Sequence, residues 1–273
     1  YGYNPVYIDF DAFEESSIFK VISQLIDVKK DNFIIDLTQI EMNQIVSLDL
    51  TNLPNLKSLN ENVLYGLENL EILHLSKMNF LKFPSSSYKN LLNLNKLILN
   101  KITFKNLSIF KDSKYIDKLS LKNCCFVKNQ LTNDNYEILN NLKSLESDID
   151  LEIFEKNYST LEILSLEYQT LKNLNNFKML KFLNIRNCSP LECINFLNDL
   201  NQMEFLDFKL PNNLIDSFEL VNLYKLKFLV LTCENIPNFN ESFKNLQGLE
   251  LINAKSIPRD QFVNLINVDY LAL

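Results

Sequence analysis

The sequence predicts an α/β solenoid: a stack of repeated units, each a parallel strand followed by a compact helical, 3-10 or irregular return. Three observations lead there. An L-x-L unit recurs along most of the chain, its spacing is nearly constant, and the apolar pattern between successive units changes period from two to three. Residues 73–97, LHLSKMNFLKFPSSSYKNLLNLNKL, show all three in one stretch. Leu73 and Leu75 alternate as on a strand with one buried face. Tyr88, Leu91, Leu94 and Leu97 then step by threes, the period of a tight return. At Leu97 the pattern starts again.

Taken in order, the units are Leu48-Asp49-Leu50, Leu73-His74-Leu75, Leu97-Ile98-Leu99 and Leu119-Ser120-Leu121. They continue at Leu164-Ser165-Leu166, Leu183-Asn184-Ile185 and Leu206-Asp207-Phe208. The last are Leu229-Val230-Leu231, Leu249-Glu250-Leu251 and Leu271-Ala272-Leu273. Steps between first leucines are roughly 19 to 26 residues once a degenerate unit at Leu145 is allowed. One such unit cannot bury its own leucines, so neighbours stack into a continuous core. Each buried leucine contributes about 1.5–3 kcal/mol.

This pattern resembles the leucine-rich repeat superfamily, L-x-x-L-x-L-x-x-N/C-x-L, over most of residues 45–273. The resemblance implies a curved horseshoe with a parallel sheet on its concave face and about 10–11 irregular repeats. The family's Asn/Cys position, five residues after the first leucine, reads Leu53, Met78, Ile102, Cys124, Gln169, Cys188, Pro211, Glu234, Ala254. No asparagine row stands there, and apolar groups fill volume without satisfying buried backbone. An uneven solenoid is therefore expected, with Cys124 and Cys188 as buried thiols. The returns 83–94, 236–249 and 257–268 resemble the family's typical subtype, L/I-P-x-x-x-F-x-x-L, which is common in extracellular receptors. The cysteine-rich caps that usually flank extracellular arrays have no counterpart in the sequence.

Residues 1–44 fit the repeat poorly. VYIDFDAF (6–13) and FIIDL (33–37) read as strands, and SSIFKVISQLI (16–26) reads as a helix capped by Ser16 or Ser17. This segment is expected to be an N-terminal cap or an atypical first repeat. The stretch 123–142 is the longest return and is expected to bulge from the convex side. The chain opens without Met or a signal pattern and ends within a strand, so it reads as truncated at its C-terminus, with more repeats or a cap to follow.

Composition narrows the function. The 273 residues are 47% hydrophobic and carry a net charge of −7. There is no apolar run of membrane-spanning length and no long basic stretch to hold nucleic acid. Asparagine is very common, about one residue in seven, and lysine far outnumbers arginine. Both follow most simply from an AT-rich coding sequence.

Little in the chain suggests catalysis. His74 is the only histidine and lies within L-H-L, where an exposed strand residue is the plain reading. Gly2, Gly66 and Gly248 are isolated, so no glycine-rich phosphate loop exists. The five cysteines form no C-x-x-C. Cys188 and Cys193 are close enough for a local disulfide, and Cys233 flanks a strand where exposure is possible. Acidic runs at Asp9, Asp11, Glu14, Glu15 and at Glu146, Asp148, Asp150, Glu152 lack the glycine turn of a calcium loop and read as solvated edges. No enzyme activity and no cofactor are expected.

Strand alternation sends the residues one before, one after and three after the first leucine outward onto the concave face. Phe182, Phe205 and Phe228 precede the leucine in successive repeats, followed by Gly248 and Tyr270. Beside this stripe lie Glu167, Arg186, Asp207 and Lys209, a mixture suited to a protein partner. The competing reading is that the rings merely cover their own strands. The contact reading expects Phe205→Ser to weaken binding with thermal stability nearly unchanged. Four sequons occur, with Asn106, Asn157 and Asn240 better acceptors than Asn187, which Pro190 disfavours. Roughly four would arise by chance with about 39 asparagines. The expected protein is a non-catalytic binding module with a protein ligand, cell-surface or secreted. The alternative is an intracellular adaptor, for example substrate recognition in a ligase complex.

Overall fold

The computed structural model describes residues 6–8, 45–50, 64, 66–77, 91–104, 115–126, 141–148, 160–167, 177–185, 195–210, 222–257 and 260–273. The chain divides into two compact units, 1–142 and 143–273. The strands that the repeat predicts form in both. In the first unit β1 (Val6–Ile8), β2 (Ile45–Asp49), β3 (Ile72–Ser76), β4 (Lys96–Asn100) and β6 (Lys118–Lys122) lie in that order. These neighbours pair in parallel. The short strands β5 (Thr103–Phe104) and β7 (Cys125–Phe126) pair in a separate parallel ribbon.

The second unit carries β8 (Ser144–Ser147), β9 (Ile163–Leu166), β10 (Phe182–Ile185), β11 (Phe205–Lys209), β12 (Phe228–Thr232), β13 (Gly248–Ile252) and β14 (Tyr270–Ala272). All are parallel and neighbours in sequence order. The degenerate unit at Leu145 is a true strand, with Leu145 opposite Leu164.

First leucines pair with first leucines throughout: Leu48 with Leu73, Leu97 with Leu119, Leu183 with Leu206, Leu229 with Leu249. These rows are the core, with Leu73, Leu97, Leu164, Leu183 and Leu206 fully buried. The period of three before each strand is also explained. Leu70 donates to Leu67, Leu94 to Leu91, Leu180 to Phe177 and Leu226 to Leu223, each bond closing a 3-10-type turn between two buried side chains.

The typical-subtype return at 236–249 packs as its pattern requires. Ile236 and Phe239 are buried, and Phe239 meets Phe243 edge to face at 5.2 Å. Asn240 caps the 3-10 turn Glu241–Phe243, its Oδ1 accepting from the Ser242 amide at 2.9 Å.

The sheet is more regular than the missing asparagine row suggested. The carbonyl two residues before each first leucine accepts two amides of the following repeat: Glu162 O takes Lys181 N and Phe182 N, and Gln247 O takes Asp269 N and Tyr270 N. Any residue supplies that carbonyl, so strand backbone is satisfied without a special side chain. Asparagine bridges do exist, four residues before the first leucine. Asn93 Nδ2 donates to Glu68 O at 3.0 Å, Asn245 to Tyr224 O at 2.6 Å and Asn267 to Lys244 O at 2.6 Å. In the row where asparagine was sought, Ile102 is fully buried and Cys124 is only half-buried, its Sγ 3.4 Å from Leu99 O.

Of the N-terminal expectations, a strand at Val6–Ile8 is present and pairs with β2. The helix at 16–26 and the strand at 33–37 lie outside the described residues, as do most of 123–142 and the pair Cys188 and Cys193.

Candidate partner-binding face

In the second unit the row before the first leucine runs Ile163, Phe182, Phe205, Phe228, Gly248, Tyr270, each the register partner of the next. The parallel register puts the rings one strand spacing apart, about 4.8 Å. Phe182 and Phe205 stack at 4.3 Å with planes 5° apart, and both are half-buried. Phe228 leans the other way, over Gly248. A Cβ added to Gly248 would lie 2.6 Å from the Phe228 ring, so only glycine leaves room for that pose. Beyond it the row opens to solvent, with Phe228 44% and Tyr270 58% exposed.

The stripe is thus part structure and part open surface. Removing Phe205 breaks a stack worth about 0.5–1.5 kcal/mol beyond its burial. Phe205→Ser therefore cannot leave stability untouched, whereas Tyr270 carries little of it. Of the flanking charges, Glu167 and Lys209 are exposed and Arg186 lies outside the described residues. Asp207, expected from strand alternation to face a partner, is instead only 3% exposed.

Sequence reasoning missed a second row. Two residues before the first leucine stand Glu162, Lys181, Glu204 and Lys227 in successive repeats. Lys181 Nζ lies 2.7 Å from Glu162, and Lys227 Nζ lies 2.6 Å from Glu204. The hydrogen bond and charge of Glu162 raise Lys181 above the ordinary lysine value, and those of Lys227 lower Glu204. Sign alternation at a fixed offset was the available signal. The open groove beside it is lined by Tyr224, Lys225, Asn245, Ile266 and Asp269. It offers mixed polarity and no convergent set of groups.

His74 is half-buried rather than freely exposed. Its Nδ1 lies 2.9 Å from Asp49, its register partner on β2. Cys233, which the sequence left open to solvent, is 3% exposed, and burial pushes its thiol up to about 11. Cys125 is exposed, with Sγ 3.1 Å from Thr103 Oγ1. Among the described residues there is no His/Cys/Asp/Glu group able to hold a metal. No described helix is long and apolar enough to cross a membrane.

No model of a known protein family matches the chain, and no curated protein matches it by sequence. Solved structures do match. A leucine-rich-repeat protein of Leptospira interrogans aligns over 85% of this chain and 62% of its own at 21% identity, TM-score 0.61. Mouse RP105, solved as the RP105/MD-1 complex, aligns over 77% of this chain and 39% of its own at 20% identity, TM-score 0.55. The Arabidopsis receptor kinase HAESA ectodomain, in complex with a peptide hormone, aligns over 81% and 42% at 19% identity, TM-score 0.52. The chain spans less than two thirds of the length of each of these three. With the leucine rows and parallel register above, they define the leucine-rich-repeat fold.

Proposed function

We propose that this chain is a non-catalytic module that binds a protein partner on the concave sheet face of residues 143–273. The contact centres on Phe182, Phe205, Phe228 and Tyr270, with Glu167, Arg186 and Lys209 at its margins, while Asp207 is buried and takes no part in it. The observation that carries this reading is an aromatic row stacked at one end, at 4.3 Å, and open at the other, where Tyr270 is 58% exposed. A rigid, half-desolvated row of rings is the kind of surface that anchors a protein interface. A cell-surface or secreted setting is supported by the typical-subtype returns and by two fold neighbours, the RP105/MD-1 complex and the hormone-bound HAESA ectodomain. One observation favours the second reading, an intracellular adaptor: Cys125 is exposed and free, as suits a reducing compartment.

A photo-crosslinking residue placed at Phe228, and in a separate variant at Tyr224, tests the contact in the protein's own cells. Adducts from position 228 that disappear with Tyr270→Ser are expected, with few from the flank at 224. No adduct at 228, or equal adducts at both, overturns the reading.

A further inference from the structure

We infer that the C-terminal ends of β3, β4 and β6 form a docking row for an acidic, Asp/Glu-rich segment of a protein partner, held by Lys77, Lys101 and Lys122. This rests on the chain being a protein-binding module, but not on the aromatic row.

The backbone is the first argument. Lys77 and Lys101 occupy the same place in successive repeats, four residues after the first leucine, with φ of 58° and 54°. That left-handed region penalises side chains with a Cβ, and asparagine tolerates it best after glycine. The chain uses asparagine at the equivalent positions Asn123 and Asn253, with φ of 52° and 65°. Asparagine is also among its commonest residues. Lysine at two adjacent turns is thus the costlier choice, and an outlier kept at a cost points to a use for the side chain.

Charge is the second argument. Register places Ser76 opposite Asn100 and Asn100 opposite Lys122, so Lys77 and Lys101 hold equivalent places just past β3 and β4, and Lys122 ends β6 one residue before the place equivalent to theirs, which Asn123 holds. All three are exposed. Neither Lys77 nor Lys101 places its ammonium in an ion pair among the described residues. No acidic residue stands three or four positions after the first leucine in these repeats; the places are held by Ser76, Lys77, Asn100, Lys101, Lys122 and Asn123. Stacking like charges on adjacent strands is unfavourable by itself, and it occurs here in a chain of net charge −7.

The occupant follows from complementarity. Neighbouring rows lie about 4.8 Å apart, and an extended peptide repeats its side chains on one face every 6–7 Å or so. Flexible lysine stems span that difference, so two or three carboxylates of one acidic strand meet the row. Sulfate and phosphate groups favour the guanidinium fork, yet Arg186 and Arg259 are the chain's only arginines.

The test titrates a fluorescein-labelled ten-glutamate peptide against the whole chain and two triple variants of equal charge. One is Lys77→Asn/Lys101→Asn/Lys122→Gln; the other is Lys178→Gln/Lys225→Gln/Lys244→Gln. The first variant is expected to lose about tenfold in affinity, the sum of three screened pairs, while its melting temperature holds or rises. The second and Tyr270→Ser bind as the parent does. Equal losses in both triple variants, or no loss in the first, overturn the proposal. So does binding of a heparin oligosaccharide through these lysines with no binding of the peptide. Because the peptide signal is read apart from the crosslink at position 228, either reading fails independently of the other.

Discussion

At the scale of single residues, environment decides behaviour that residue type leaves open. Cys125 opens β7 and Cys233 directly follows β12, yet one is exposed and the other 3% exposed. Burial raises the Cys233 thiol from 9.0 to about 11. Between those values the unfolded chain releases this proton while the folded chain keeps it. Stability is therefore unaffected below about pH 9 and falls as pH rises towards 11, by no more than about 3 kcal/mol. Denaturant unfolding of the parent and of Cys233→Ala at pH 8, 9.5 and 11 should show curves that converge as pH rises. Parallel curves would mean that the thiol is hydrated in the folded state. A thiol reagent should meanwhile label Cys125 at once and Cys233 only on unfolding.

At the scale of the repeat, three kinds of side-chain contact join one strand unit to the next, and they differ in weight. The leucine rows dominate: Leu206→Ala removes a fully buried side chain and should cost about 2–5 kcal/mol. The asparagine bridges come next. Asn245→Ala deletes a 2.6 Å bond to Tyr224 O and should cost about 0.5–1.5 kcal/mol. The Glu162–Lys181 and Glu204–Lys227 pairs are solvent-exposed, so Lys227→Gln should leave the unfolding midpoint almost unmoved, in low or high salt. An ordering in which Lys227→Gln costs more than Asn245→Ala would refute this ranking. Urea midpoints for the three variants decide it. The ranking also shows what was legible. Buried rows repeat leucine at a fixed offset, so L-x-L spacing revealed each leucine-row strand described in 45–273, including the weak one at Leu145, but not the short ribbon of β5 and β7. Asparagine bridges hid among some 39 asparagines, because they stand before the strand and not at the family's asparagine position after it. Carbonyl sharing left no sequence signal at all, because every residue carries that group.

At the scale of the whole molecule, the same legibility extends only partly to function. The aromatic row was visible as Phe182, Phe205 and Phe228 at constant spacing, but not that Phe182 and Phe205 stack while Phe228 turns over Gly248. The lysine row was invisible, because its meaning lies in φ angles that no composition reveals. Where the protein works is likewise not written in its fold, and the sequons are the accessible handle. Of the three better acceptors, Asn240 is the least suited: its side chain caps a 3-10 turn, and Ser242 of its sequon is 5% exposed. Secretory passage, as proposed, should give a chain whose gel mobility increases after enzymatic deglycosylation. The shift should survive Asn240→Gln and shrink with Asn106→Gln or Asn157→Gln. A full shift lost with Asn240→Gln alone would mean that this return is glycosylated before it folds. Absence of any shift in protein from its own cells, together with Cys125 fully alkylable there, would favour the adaptor reading instead, and the aromatic and lysine rows would then be sought by an intracellular partner.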